Sequence, residues 1–314
     1  MQKAYINELY DLMENDTRVF SLLSDSGTDY DMMLLRDFPD RCLNFGIAEQ
    51  NKIAAASGMA ALGKIPFVYA QGAFLTYRAY EFIRNDICFQ NRNVKITGIG
   101  SGMSLSQLGP SHHTTEDIAV LSAIPNLTIF SPATPIELQK CVRTAYGING
   151  PVYIRMGMSE VDELSSELYN SEKDNIPIDK AITVMDSTNP SVLIISTGSI
   201  IFKALEAIKQ LQAESDYSFR LLHLPIIKPF DNESIINAAK NVKNIFTIEE
   251  HNIVGGIGSL VASAIVGSDN TPVSLTRIGL NDCFAQGYGT HEQVLAANRL
   301  DSANIFNRIS DLLI

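Results

Sequence analysis

NFGIAEQNKIAAASGMAALGKIPFVYA, residues 44–70, decides the fold. A loop with one acidic residue near its end leads into an Ala- and Gly-rich helix, then a short turn, then an apolar run suited to a buried strand. Small residues let such a helix pack closely on a sheet, and a strand apolar on both faces suits a parallel sheet covered on both sides. The alternation extends outward in both directions. RVFSLLS (18–24), VKITGIG (94–100), LTIFS (127–131) and VYIRM (152–156) read as further strands, and TYRAYEFIRNDICFQN (76–91) as a covering helix.

The run SEVDELSSELYNSEKDNIPIDK (159–180) is acidic, Ser-rich and aperiodic, so it reads as an exposed connector. Beyond it the alternation restarts, with SVLIIST (191–197), FKALEAIKQLQAE (202–214), FRLLHLP (219–225), NESIINAAKNV (232–242), NIFTIEE (244–250), SLVASAIV (259–266) and VSLTRI (273–278). The expected fold class is α/β with two doubly wound domains, over 1–165 and 189–314, joined by a linker over 166–188.

Composition narrows the function. The 314 residues carry 35 acidic and 24 basic side chains, a net charge of −11, which would repel a nucleic-acid backbone. No apolar stretch is long enough to cross a bilayer and the N-terminus is polar, so a cytoplasmic protein is expected. Cys42, Cys88, Cys141 and Cys283 are far apart, with no metal-ligand spacing.

Several blocks agree in type, order and spacing with one family. NFGIAEQN, AFxxYRAYEFIRNDI, GPSHHTTEDIAVLSAIPNLTIFSPATP and GPVYIRMG together resemble the pyrimidine-binding domain of transketolases and deoxyxylulose phosphate synthases. LPIIKPFDNESI and IFTIEEHNIVGGIGSLVASAI resemble the C-terminal domain that these share with 2-oxoacid dehydrogenase beta subunits. The resemblance implies thiamine diphosphate as cofactor. It assigns Glu49 to the aminopyrimidine nitrogen, whose proton sharing drives the tautomer change that activates the cofactor. Read alone, Glu49 would be a first-turn carboxylate complementing the helix dipole.

By the same resemblance Phe74 stacks on the aminopyrimidine, with Tyr77 and Tyr80 as lining residues. His112 contacts the donor hydroxyl or developing alkoxide, and His113 stands where transketolases carry a glutamine. Arg155 matches an arginine that holds a substrate phosphate, for which a forked guanidinium is suited, with Arg78 as a second contact. Two departures bear on the acceptor. Leu108 replaces an aspartate that reads the acceptor's hydroxyl, and Gly100 lies near the place of a phosphate-binding histidine. Lys228, Glu249, Glu250 and His251 are read as packing or solvated charge.

No GDG motif for Mg²⁺ and diphosphate is present, and Met1 stands directly at the head of the first domain. The expectation is a split enzyme, in which an N-terminal subunit holds thiamine diphosphate through Mg²⁺ or Ca²⁺ and two copies of each chain form a heterotetramer. The expected reaction is transfer of a two-carbon ketol unit from a ketose to an aldehyde, such as a sugar or sugar phosphate. The alternatives are action on a 2-oxoacid, as in deoxyxylulose phosphate synthases or dehydrogenase beta subunits, and a non-catalytic scaffold.

Overall fold

Six parallel strands build the first sheet: β1 (Val19–Leu23), β2 (Cys42–Asn44), β3 (Ile65–Gln71), β4 (Lys95–Ile99), β5 (Thr128–Phe130) and β6 (Val152–Met156). The computed structural model describes residues 1–24, 29–158, 177–266 and 274–313. Strand order is β5-β6-β4-β3-β1-β2. β4 and β6 are buried at every position, as strands covered on both faces must be. Helix Glu49–Ala61 packs on β3. Helix Pro135–Gly147 starts with Pro135 in its first turn and the Thr134 side chain accepting from the Glu137 amide, which satisfies one of the free N–H groups at that end.

After the connector come β7 (Ile182–Asp186), β8 (Val192–Ser196), β9 (Phe219–His223), β10 (Ile226–Lys228), β11 (Asn244–Asn252) and β12 (Ser274–Leu280). Five of these form the second sheet, in the order β12-β11-β8-β9-β7, parallel except for β7, which runs against β9. β10 leaves its own domain and pairs antiparallel with β5, extending the first sheet to seven strands.

Two details differ from the sequence reading. The 74–88 stretch is helical but π-wound over Phe74–Arg78 and Ile83–Cys88, with an α-turn at Tyr80–Phe82 between them. A π-turn takes up one more residue than an α-turn, and such turns cluster at functional sites. β7 lies inside the expected linker 166–188, because its alternating pattern gives a half-buried edge strand. Residues 159–176 of that connector lie outside the described residues.

One apolar cluster runs through both domains, with Ile124, Leu127 and Ile129 of the first packed together with Leu222, Leu224 and Ile227 of the second. At about 1.5–3 kcal/mol for each fully buried aliphatic side chain, this shared core fixes the two domains against each other. Cys42, Cys88 and Cys141 are buried and Cys283 is exposed, all as free thiols. Among the described residues no helix is long and apolar enough to cross a membrane.

Candidate active site

Three loops leave the C-terminal ends of β2, β3 and β4 and converge there, the edge at which open α/β sheets bind ligands. The first delivers Glu49 at the start of helix Glu49–Ala61, where a carboxylate complements the helix N-terminus. Its side chain is only 3% exposed and accepts from Arg78 Nη1 at 2.6 Å. The second delivers Phe74, two residues past Gly72. A Cβ on Gly72 would stand 2.8 Å from Thr114 Oγ1, so the backbone approach there requires glycine. Arg78 lies over the Phe74 ring, with Cζ 4.8 Å from its centroid.

The third loop delivers His112, whose amide bonds the Gly109 carbonyl at 2.9 Å. Gly109 has φ +75°, a conformation glycine adopts without cost. The His112 ring meets Phe74 edge-on, with centroids 5.0 Å apart at 72°, and its Nδ1 is 2.9 Å from Ser111 Oγ. Glu49, Phe74, Arg78 and His112 are therefore neighbours despite lying far apart in the chain.

Lys52, one helical turn beyond Glu49, is a charged residue that the sequence reading passed over. It is fully buried and donates to Ser24 Oγ at 2.5 Å and to the Tyr69 carbonyl at 2.9 Å. Burial pulls its ammonium down to about 7, against the opposing pull of the Glu49 charge. The available signal was a lysine placed within an Ala-rich, core-facing helix.

Tyr77 and Tyr80, expected as lining residues, both have hydrogen-bonded hydroxyls. The Tyr77 hydroxyl donates to Glu116 Oε2 at 2.7 Å and accepts from the Glu116 amide at 3.0 Å, while Tyr80 donates to the Val120 carbonyl at 3.1 Å. Both hydroxyls thus tie the 74–88 helix to the segment that follows the His112 loop. His113 is buried, and neither ring nitrogen has a hydrogen-bond partner among the described residues. Burial, the largest influence, pulls its pKa down and favours a neutral ring.

Arg155 requires a correction. It does not face an open anion site: it is 3% exposed, with Nε bonded to both carboxylate oxygens of Asp117 at 3.0 Å. Its Nη2 donates to the carbonyls of Thr114 and Glu250 at 3.2 and 3.0 Å. Tyr153 adds a third bond to Asp117 at 3.0 Å. A guanidinium so buried needs a fixed counter-charge, and Asp117 satisfies it internally.

Leu108 is 47% exposed on the His112 loop. At Gly100 the backbone has φ +77°, and any Cβ would overlap Leu105 Cδ1. Leu105 thus fills the space beside it, which leaves no room there for a histidine.

In the second domain, Glu249 accepts from the amides of Ile257 and Gly258 at 2.7 and 3.1 Å, closing the N-terminus of helix Ile257–Val266. Burial pushes its carboxyl up to about 7, while the two amides pull it back. Glu250 accepts from the Met103 amide at 2.5 Å and pairs with His291 at 2.8 Å, and the Lys228 ammonium donates to the Ser122 and Ile124 carbonyls. Of these contacts, Glu250 to Met103 and Lys228 to Ser122 and Ile124 cross between the domains, while those of Glu249 and His291 stay within the second. No cluster of three or more His, Cys, Asp or Glu side chains able to hold a metal occurs among the described residues.

The family profile "Transketolase, pyrimidine binding domain" matches residues 1–162 and "Transketolase, C-terminal domain" matches 182–305. The chain belongs to the transketolase family. As a member of it the chain is part of a transferase, and use of thiamine diphosphate goes with the family. This transketolase chain is 34% identical over 248 residues to one subunit of an apulose-4-phosphate transketolase from Actinobacillus succinogenes, covering 79% of this chain and 77% of that one. It is 28% identical over 293 residues to a 6-deoxy-6-sulfo-D-fructose transketolase subunit from a Clostridium species, covering 91% and 86%. A solved split-gene transketolase, described as an inactive beta4 tetramer, superposes with a TM-score of 0.83 at 31% identity, covering 99% of this chain and 96% of the other.

Proposed function

We propose that this chain is the C-terminal subunit of a split transketolase that moves a two-carbon ketol unit from a ketose to an aldehyde in the cytoplasm. The observation that carries the reading is a buried carboxylate, Glu49, set beside an aromatic ring and already holding a flat N–H donor between them. A planar aminopyrimidine offers the same two features, a stacking face and donors at its edge, so the cradle suits that half of thiamine diphosphate. When bound, the cofactor supplies the carbon nucleophile that takes up the two-carbon unit. A partner subunit would provide the diphosphate and Mg²⁺ or Ca²⁺ ligands, in an assembly of two copies of each chain. The split-gene relative described as an inactive beta4 tetramer supports the need for a second kind of subunit.

Within this reading Glu49 holds a proton at the pyrimidine ring nitrogen, and Phe74 orients the ring. His112, held by Ser111 and packed edge-on to Phe74, presents its imidazole to the hydroxyl side of the sugar. Leu108 turns an apolar wall to the acceptor, and Leu105 closes the space beside Gly100. Both features favour an acceptor altered or less phosphorylated relative to ribose 5-phosphate or erythrose 4-phosphate. The relatives named for apulose 4-phosphate and a sulfonated fructose support a modified sugar.

The test mixes the chain with the diphosphate-binding subunit, thiamine diphosphate and Mg²⁺, and screens ketose donors with aldehydes. Glu49→Gln keeps the shape but not the shared proton, and is expected to lower turnover by about a hundredfold or more. Near-normal turnover in that variant, or carbon dioxide release from 2-oxoacids in place of ketol transfer, would overturn the reading.

A further inference from the structure

Arg78 does two things at once in the cradle: its Nη1 donates to Glu49 Oε2 at 2.6 Å, and its flat guanidinium lies over Phe74 at 4.8 Å. Those are the two contacts that the proposed function assigns to the aminopyrimidine. We infer that Arg78 is a placeholder, which occupies the pyrimidine position and must be displaced before thiamine diphosphate can seat. The inference rests on the reading of Glu49 and Phe74 as the pyrimidine cradle.

Sterics require the exchange. The guanidinium covers the face of Phe74 on which a pyrimidine would stack, and two flat groups cannot share it. Its bond to Oε2 also holds Glu49 in the ionised, acceptor-only form, whereas sharing a proton with a ring nitrogen favours a carboxyl that can donate. Displacement is feasible because the Arg78 side chain is 38% exposed, so its charge returns to water without crossing the core. The placeholder also serves the chain on its own, because Glu49 is 3% exposed and would otherwise have only the less direct charge of Lys52 to offset it. The π-wound segment Phe74–Arg78 carries both partners of the stack, so that Arg78 lies over the Phe74 ring while its Nη1 reaches Glu49.

Cofactor binding is then a competition, and removing the competitor tightens it. In the complex with the diphosphate-binding subunit and Mg²⁺, calorimetric titration with thiamine diphosphate should show Arg78→Met binding about tenfold more tightly than the unmodified chain, the combined worth of one half-exposed ion pair and one cation–π contact. Arg78→Lys, which keeps the charge but loses the flat face, should fall between. On a Glu49→Gln background the gain from Arg78→Met should largely vanish, because the latch has lost its anchor. Equal or weaker binding by Arg78→Met, or a gain that persists with Gln at 49, overturns the placeholder. A complex that binds no thiamine diphosphate at all refutes the proposed function instead.

Discussion

Replacing Asp117 by Asn would leave the shape of the domain seam intact and remove one charge from it. Asp117 is fully buried and receives Arg155 Nε on both oxygens and the Tyr153 hydroxyl, all at 3.0 Å. Arg155 in turn reaches across to the Glu250 carbonyl on β11. In Asp117→Asn the guanidinium stays buried without its hydrogen-bonded counter-charge, with only the less direct charge of Glu250 beside it, and faces an amide that also donates. Breaking a buried pair from one side costs about 3–5 kcal/mol. At about 2 °C per kcal/mol for a chain of this size, the melting temperature should fall on the order of 6–10 °C. Arg155→Met alone should cost a similar amount, since it strands the carboxylate. The double variant should be better than the sum of the two by about 2 kcal/mol, because the second change removes the charge that the first left unpaired. Urea unfolding followed by tyrosine fluorescence, the chain having no tryptophan, and by far-ultraviolet circular dichroism measures all four corners of this cycle. A loss below about 1 kcal/mol for Asp117→Asn, or costs that add within about 0.5 kcal/mol, would show that solvent or relaxation compensates the charge and that the seam is not electrostatic.

Burial pulls the Lys95 ammonium from 10.5 down to about 7, so between those values the folded chain binds fewer protons than the unfolded one and Lys95 makes stability climb with pH, by up to about 1.4 kcal/mol per unit. Its cost is fully present below pH 7, and Lys95→Met should flatten the climb in urea titrations from pH 7 to 10; an unchanged slope would mean that Lys95 does not titrate there. Leu108→Asp in the reconstituted enzyme should shift kcat/KM toward ribose 5-phosphate and erythrose 4-phosphate by roughly tenfold or more, through the hydroxyl contact that leucine cannot make. If the unmodified enzyme already prefers those two phosphates, Leu108 does not set specificity.

The sheet of the first domain was largely legible because its strands are short apolar runs separated by helices, a local pattern. β2 was not, since three residues give no period. β10 was missed for a different reason: its three residues sit in one domain's sequence and another domain's sheet, and pairing across that distance leaves no local trace. The same limit applies to the site. Glu49, Phe74 and His112 were singled out through their motifs, and the structure brings them together. The Glu49–Arg78 pair and the burial of Lys52 depend on packing between elements, which residue spacing does not report. Arg155 was misread because a forked guanidinium suits a phosphate and a buried aspartate equally well, and only the position of Asp117 distinguishes them.

The strand exchange at β10 also governs the order in which the chain can mature. β5 is synthesised roughly a hundred residues before β10, a wait of about 5–20 s at ordinary rates of translation. Throughout that interval the first sheet presents an open backbone edge at β5, the kind of surface that recruits foreign strands. The N-terminal sheet thus gains its last strand only when the second domain has been made. Gene fragments cut at the connector would carry that bare edge permanently, and are expected to aggregate unless residues 226–228 are supplied with them.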